Sequence, residues 1–336
     1  MKGEMGVEVC APARIDLAGG TIDIWPLYLF HDNAMTVNVA IDMFATVRIK
    51  KKRDRRIKIV SRDRGAVFET GLGFRGLRKT PVEFIARIVK FYEPGCGLDV
   101  TTDCSSPAGA GLGGSSALAI AVSYSLNHLL HRGFSKMFQL NAVRNIETRI
   151  LGVPTGVQDY YPALFGGLNV LQYGVSGTKV ERINIDPKKF ASRLVLCYTG
   201  KERSSGVSNW DMVKRYLDGH RDVRKAMGEI CAASGWLREA IMKENFESAG
   251  EAMLYEWKNR KRLSVKVTNS KIERLMKVAL ASGATGGKVC GAGGGGCLVF
   301  MVREGMKRSV EKALSQGGGR ILDFSVSPHG VSIISS

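Results

Sequence analysis

The chain has 336 residues, 44% of them hydrophobic, which is enough to bury a sizeable core and to divide into two domains. No apolar run is long enough to span a bilayer, the start Met1-Lys-Gly-Glu-Met-Gly6 lacks the layout of a signal peptide, and a cytoplasmic protein is expected. Seven scattered cysteines without a Cys-x-x-Cys argue against a disulfide framework or zinc site, while the net charge of +18 leaves nucleic acid, an anionic surface or phosphorylated small molecules as partner classes.

Residues 7–14 alternate and turn at Pro12, predicting a first strand, and 15–23 read as a glycine-containing loop ending on Asp23. Residues 34–41 and 44–49 read as two strands. The basic run 50–56 reads as a solvated strand end and hairpin turn; it has no interleaved aromatics, which disfavours nucleic acid. Short strands follow at 57–61 and 66–69. Pro81 opens a helix with Phe84, Ile85, Ile88 and Val89, and 98–103 form a strand.

That strand runs into Pro107-Ala108-Gly109-Ala110-Gly111-Leu112-Gly113-Gly114-Ser115-Ser116-Ala117, which leads into a helix reaching about His131. A glycine loop feeding a helix N-terminus suits an anion, because free N–H groups and the positive dipole end point the same way. The plainer reading is a tight turn with Ser115 or Ser116 as an ordinary N-cap, and both stand together here. The Gly-x-x-x-x-Gly-Lys-Ser/Thr loop and the dinucleotide fingerprint are both absent, so glycines alone do not name the ligand.

A helix is expected over 138–151 with Glu147 on it, then a turn-rich loop 152–160 containing Asp159, and a strand over 165–172. Residues 174–188 are the expected domain boundary, giving domains 1–180 and 181–336. Beyond it come a strand at 194–198, a polar loop at 199–205, helix over 208–261 and another over 272–281. A second glycine loop, 291–296, opens onto a strand at 297–302, and a last helix and a strand at 320–326 close the chain. Strands and helices without regular βα alternation indicate an α+β fold.

Three separated segments resemble the superfamily of galactokinase, homoserine kinase, mevalonate kinase and phosphomevalonate kinase. They are Ala11-Pro-Ala-Arg-Ile-Asp-Leu-Ala-Gly-Gly20, residues 107–117, and Lys288-Val-Cys-Gly-Ala-Gly-Gly-Gly-Gly296. Their order and spacing extend the likeness over nearly the whole chain. Within the superfamily the text is most similar to D-glycero-D-manno-heptose 7-phosphate kinases, through Leu17-Ala-Gly-Gly20 with Asp23, Gln158-Asp159, Phe165-Gly-Gly-Leu-Asn169, Tyr198-Thr-Gly200 with Arg203-Ser-Ser205, and Trp257 to Ser264. The resemblance implies a two-domain fold, with a ribosomal-S5-like N-terminal domain of left-handed βαβ character and a ferredoxin-like C-terminal domain. The active site would lie in the cleft between them.

The resemblance also implies roles. The loop from Pro107 through Gly109, Ala110, Gly111, Leu112, Gly113 and Gly114 to Ser115 and Ser116 would hold ATP. Ser115 and Glu147, twelve residues before Asp159, would bind Mg²⁺. Asp159 would act as general base or aim the acceptor hydroxyl, and Arg14 would pair with it and neutralise charge on the γ-phosphate. Alone, these three would read as a turn or cap acid, an exposed helix acid and a strand-end cation; the joint register favours the functional reading.

Asp23, Gly20 and Thr21 are the expected sugar contacts, with Gly293 and Gly294 of the second glycine loop. Gly20 and Thr21 replace the Glu and His of galactokinases, which speaks against galactose. Heptose kinases carry glycine and threonine where this chain has Thr21 and Ile22. Arg203, Ser204 and Ser205 would bind a phosphate already on the substrate, a reading balanced evenly against an ordinary loop, and Arg260, Lys261 and Arg262 line the cleft or face solvent. The expected activity is an ATP-dependent sugar kinase acting on the anomeric hydroxyl of a heptose 7-phosphate. The alternatives are a kinase for fucose, galactose or a uronic acid, a non-catalytic sugar or nucleotide sensor, and a basic nucleic-acid-binding protein. The expected partner is a small sugar or sugar phosphate, with no membrane; a homodimer stays open.

Overall fold

The computed structural model describes residues 6–202 and 206–335, and their side chains except those of 206–208. In chain order the elements are β1 (Gly6–Ala18), β2 (Met35–Lys52), β3 (Arg56–Ser61), β4 (Ala66–Gly71), α1 (Glu83–Phe91), β5 (Gly97–Cys104), α2 (Gly114–Leu129), α3 (Lys136–Leu151), α4 (Tyr160–Phe165), β6 (Leu168–Gly174) and β7 (Gly177–Ile183). Then come α5 (Pro187–Ser192), β8 (Leu194–Tyr198), α6 (Gly206–Leu217), α7 (Arg221–Met242), α8 (Phe246–Leu263), α9 (Ser270–Ala281), β9 (Ala284–Val289), β10 (Cys297–Val302), α10 (Lys307–Gln316), β11 (Arg320–Ile321) and β12 (Ser332–Ser335). Among the described residues no helix is long and apolar enough to cross a membrane.

One sheet runs β12-β1-β2-β5-β3-β4, with β6 and β7 added beyond the first half of β2; the other is antiparallel, in the order β11-β8-β10-β9. Several expected boundaries move. The first strand continues through Pro12 to Ala18, because Pro12, which cannot donate to a ladder, sits at a register shift against β2. The two strands expected over 34–49 are one. Asp42 leaves the ladder at that shift, donates its N–H to Ser325 O, and accepts the Ser325 N–H on Oδ1. The turn at 53–55 does not make a hairpin of adjacent strands, because β5 inserts between β2 and β3, parallel to β3. β7 carries the first sheet to Ile183, across the expected division at 180, and the last strand, β12, returns to pair with β1. Residue 165, expected in a strand, ends the short helix α4.

Strand alternation sets what each face of β1 does. Val7, Val9 and Ala11 enter the cluster under α1 and α2, and Ala13, Ile15 and Leu17 enter a second cluster with Leu196, Val299 and Met253 of the C-terminal half. Both halves therefore share apolar core. Arg14 and Asp16 alternate with those residues and are themselves buried.

Asp16 belongs to a buried ionic cluster that joins β1, α8 and β9. Lys288 Nζ lies 2.9 Å from Asp16 Oδ2 and 3.2 Å from Glu256 Oε1, and Arg260 shares Glu256 Oε1 at 2.9 Å through Nε. Burial disfavours the Asp16 charge, yet Lys288, Arg260 and Arg14 together hold its pKa below the ordinary carboxylate value. Two cations and two anions balance, so losing one strands a charge in the interior. Lys288→Met should cost about 3–5 kcal/mol of stability, read from the denaturant midpoint at unchanged slope; a wild-type midpoint would show that the pairing is not what keeps the seam closed.

Candidate active site

The glycine stretch leaves β5 and enters α2 at a cleft of about 760 Å³, and every residue of 107–116 lines it. Gly109, Gly111 and Gly113 stand at φ of +62°, +78° and +71°. Gly113 caps α2 in the left-handed conformation with no side-chain bond, so neither serine serves as the N-cap. A Cβ there would be strained, and would approach Arg14 Cγ to 3.3 Å and Asp159 Cβ to 3.5 Å. The uncapped N–H groups and positive end of α2 therefore remain for an anion, which fits a nucleotide's phosphates.

Arg14 is 1% exposed. Its backbone N–H donates to Leu112 O at 2.8 Å and its Nη1 to Gly111 O. Its Nε and Nη2 both donate to Asp159 Oδ1, at 2.9 and 2.6 Å. Burial opposes the guanidinium charge, but Asp159 and Asp16 outweigh it and hold the Arg14 pKa above its ordinary value. Asp159 immediately precedes α4, yet its side chain makes no cap bond. Both arginine bonds fall on Oδ1, which leaves Oδ2 as the oxygen for a ligand in the cleft.

Glu147 is half-buried on α3 and accepts the Tyr160 hydroxyl on Oε2 at 2.6 Å. Burial, reinforced by the Asp159 charge and opposed by the Tyr160 bond, pushes its carboxyl up to about 7. Ser115 is exposed and lines the same cleft as Glu147. A carboxylate and a hydroxyl are hard oxygen donors that suit Mg²⁺. Among the described residues no three His, Cys, Asp or Glu side chains gather into a group that could hold a metal ion.

Asp23, Gly20 and Thr21 line the other end. Asp23 Oδ2 accepts the N–H groups of Val157 and Gln158 at 2.7 and 3.0 Å. The Gln158 side chain also lines the cleft; its Oε1 is buried without a hydrogen-bond partner, an acceptor that no motif had assigned. Its text was visible in the sequence, but its orphaned oxygen was not.

Two expectations fall elsewhere. Gly293 and Gly294 do not line the cleft, although Gly291 and Ala292 do. Gly294 N–H instead donates to Val267 O at 2.7 Å, and Asn269 Nδ2 donates to Gly294 O at 3.1 Å, which ties that part of the loop to the α8–α9 connection. Arg203, Ser204 and Ser205 lie outside the described residues. Lys261 pairs with Glu273 at 3.0 Å, Arg262 donates to Asn259, and Arg260 is buried behind the cleft rather than lining it.

Both halves of the chain match a known family. The family model described as GHMP kinases N terminal domain matches residues 81–167, and that of GHMP kinases C terminal matches 237–319. The chain belongs to the GHMP kinases. It is an ATP-dependent phosphotransferase with the two-domain fold that the three motifs implied.

This GHMP kinase is 29% identical over 333 residues to the D-glycero-alpha-D-manno-heptose 7-phosphate kinase of Campylobacter jejuni, covering 95% of this chain and 96% of that protein. It is 29% identical over 243 residues to the mevalonate kinase of Pyrococcus horikoshii, covering 70% of this chain and 69% of that one. A solved D-glycero-D-manno-heptose 1-phosphate kinase from Bacteroides thetaiotaomicron has a TM-score of 0.77 over 98% of this chain and 99% of that one; at 22% identity, it shows a shared fold.

Asp23 gives this kinase a pH-dependent feature. Burial, with the charges of Asp159 and Asp16, raises its pKa from 3.8 to about 6 against the pull of the Gln158 and Val157 N–H groups. Well below pH 3.8 both folded and unfolded forms are protonated and there is no cost. As pH rises to 6 the unfolded carboxyl ionises first, so folding loses up to about 3 kcal/mol. Asp23→Asn should recover a gain of that order above pH 6 that fades toward pH 4. Denaturant titrations at several pH values read this, and a pH-independent difference would contradict it.

Proposed function

We propose that this GHMP kinase transfers the γ-phosphoryl group of ATP, with Mg²⁺, to the anomeric hydroxyl of a sugar, and that the sugar is a heptose 7-phosphate. The observation that carries the reading is the buried Arg14–Asp159 pair seated on the carbonyls of the glycine loop, in one cleft with Asp23. Similarity to the C. jejuni enzyme along both chains supports the heptose class.

ATP supplies the phosphoryl group, and Mg²⁺ would offset charge on its oxygens while held by Ser115 and Glu147. The protein's part is to position and to move one proton. N–H groups of Gly113, Gly114 and Ser115 cradle phosphate oxygens. Arg14 holds Asp159 by Oδ1, so Oδ2 faces the acceptor; it takes the hydroxyl proton as the sugar oxygen bonds to phosphorus and the bond to the ADP oxygen breaks. Asp23 Oδ1 and Gln158 Oε1 are acceptors, which suit sugar hydroxyls as donors and fix which hydroxyl approaches Asp159.

Substitution of glycine and threonine by Thr21 and Ile22, at the positions where heptose kinases carry the former pair, favours testing a second reading: a kinase for another sugar, such as fucose. ADP release across a panel of free and phosphorylated sugars decides between them. The expected result is fastest release with heptose 7-phosphate, and a fall in kcat of roughly 10²–10⁴-fold for Asp159→Asn. Turnover of unphosphorylated sugars only would remove the sugar-phosphate reading, and full activity of the variant would remove Asp159 from its role.

A further inference from the structure

We propose that Arg260 is a positioning residue for the acceptor sugar: it clamps the Gly20–Thr21 turn and, through it, sets Asp23. The proposal rests on the sugar-kinase reading of the cleft. Arg260 comes from α8, is 1% exposed, and does not itself line the cleft. Its Nε donates to Glu256 Oε1 at 2.9 Å, its Nη2 to Gly20 O at 2.6 Å and its Nη1 to Thr21 Oγ1 at 3.2 Å. The planar fork thus spans an anchor on its own helix and two consecutive residues of the turn, across 240 positions of sequence. A lysine ammonium keeps the charge but cannot hold all three acceptors in one plane.

The turn needs holding. Thr21 stands at φ +80°, where a β-branched residue is strained. Gly20 rests so closely on the ionic cluster that a Cβ there would lie 2.5 Å from Asp16 Oδ2. The turn continues through Ile22 N–H to Gly19 O and Ile24 N–H to Thr21 O, each at 3.2 Å, which brings Asp23 under the N–H groups of Val157 and Gln158 next to Asp159. Loss of the clamp would let Thr21 relax toward negative φ and displace Asp23 and the backbone before Asp159. The nucleotide loop, held separately by Arg14, would stay in place.

The test separates a clamp from a merely structural arginine. In Arg260→Lys the KM for the sugar should rise about tenfold or more, with the KM for ATP nearly unchanged. Adding Thr21→Gly, which adopts φ +80° without strain, should restore most of the sugar KM relative to the single variant. Without any ligand, hydrogen–deuterium exchange in peptides covering 17–24 should be faster in Arg260→Lys, and also in Thr21→Val, which removes the hydroxyl acceptor and keeps the ionic cluster whole. Unchanged exchange in Thr21→Val overturns the clamp even if Arg260→Lys does not fold. Equal increases in both KM values that Thr21→Gly does not reverse overturn it too. A wild-type protein that phosphorylates no sugar overturns the reading of the cleft instead, while the exchange data still judge the clamp.

Discussion

A single buried cation organises the cleft. Arg14 is removed from water on β1 and would destabilise the fold unless its donors were met. They are met by the glycine loop through Gly111 O and by Asp159 through Oδ1. Folding and site assembly are therefore one event at this point. The strand cannot bury Arg14 without drawing the loop and the start of α4 together.

The seam between the halves repeats that logic with backbone and charge. Cys297 N–H donates to Ala110 O at 2.8 Å, and Gly296 approaches so closely that a Cβ would lie 2.6 Å from the same oxygen. The second glycine loop thus braces the first from behind, which gives its glycines a reason other than contact with a ligand. Behind the Asp23 end of the cleft, Asp16, Lys288, Glu256 and Arg260 form a neutral set of buried charges contributed by both halves. Apolar core from β1, β8, β10 and α8 fills the space between. The cleft walls are accordingly fixed to one another at their base.

The sequence made the cleft's lining more legible than its supports. Arg14, Ser115, Glu147 and Asp159 could be singled out because each stands in a local text with a fixed offset from its neighbours. Arg260 stood out only as one of three cations in a basic run that reads equally as a solvated face, since its partners Gly20 and Thr21 lie 240 and 239 residues away. Gly293 and Gly294 misled for the opposite reason: a glycine signals close approach without saying to what, and here the neighbour is the Val267 carbonyl. Strand ends moved where a register shift interrupts alternation, as at Pro12 and Asp42, because pairing across the sheet outweighs the local turn signal. The insertion of β5 between β2 and β3 is a long-range choice that no local pattern contains.

The protein's own charges in the cleft leave its carboxyls unrelieved. Asp23, Glu147 and Asp159 are three carboxyls in one cavity, and the first two are pushed up to about 6 and about 7, burial being the larger cause and Asp159 adding to both. Arg14 is already engaged with Asp159, so it relieves the other two little. Under the kinase reading, each of these groups gains what it lacks only when ligands arrive: hydroxyl donors at Asp23 and a divalent cation at Glu147, both of which favour the ionised form. Loading then releases protons near neutral pH and removes a destabilising term from the folded protein. On that reading the same carboxyls couple sugar, cation and nucleotide, because relief at one of them lowers the repulsion felt at the next.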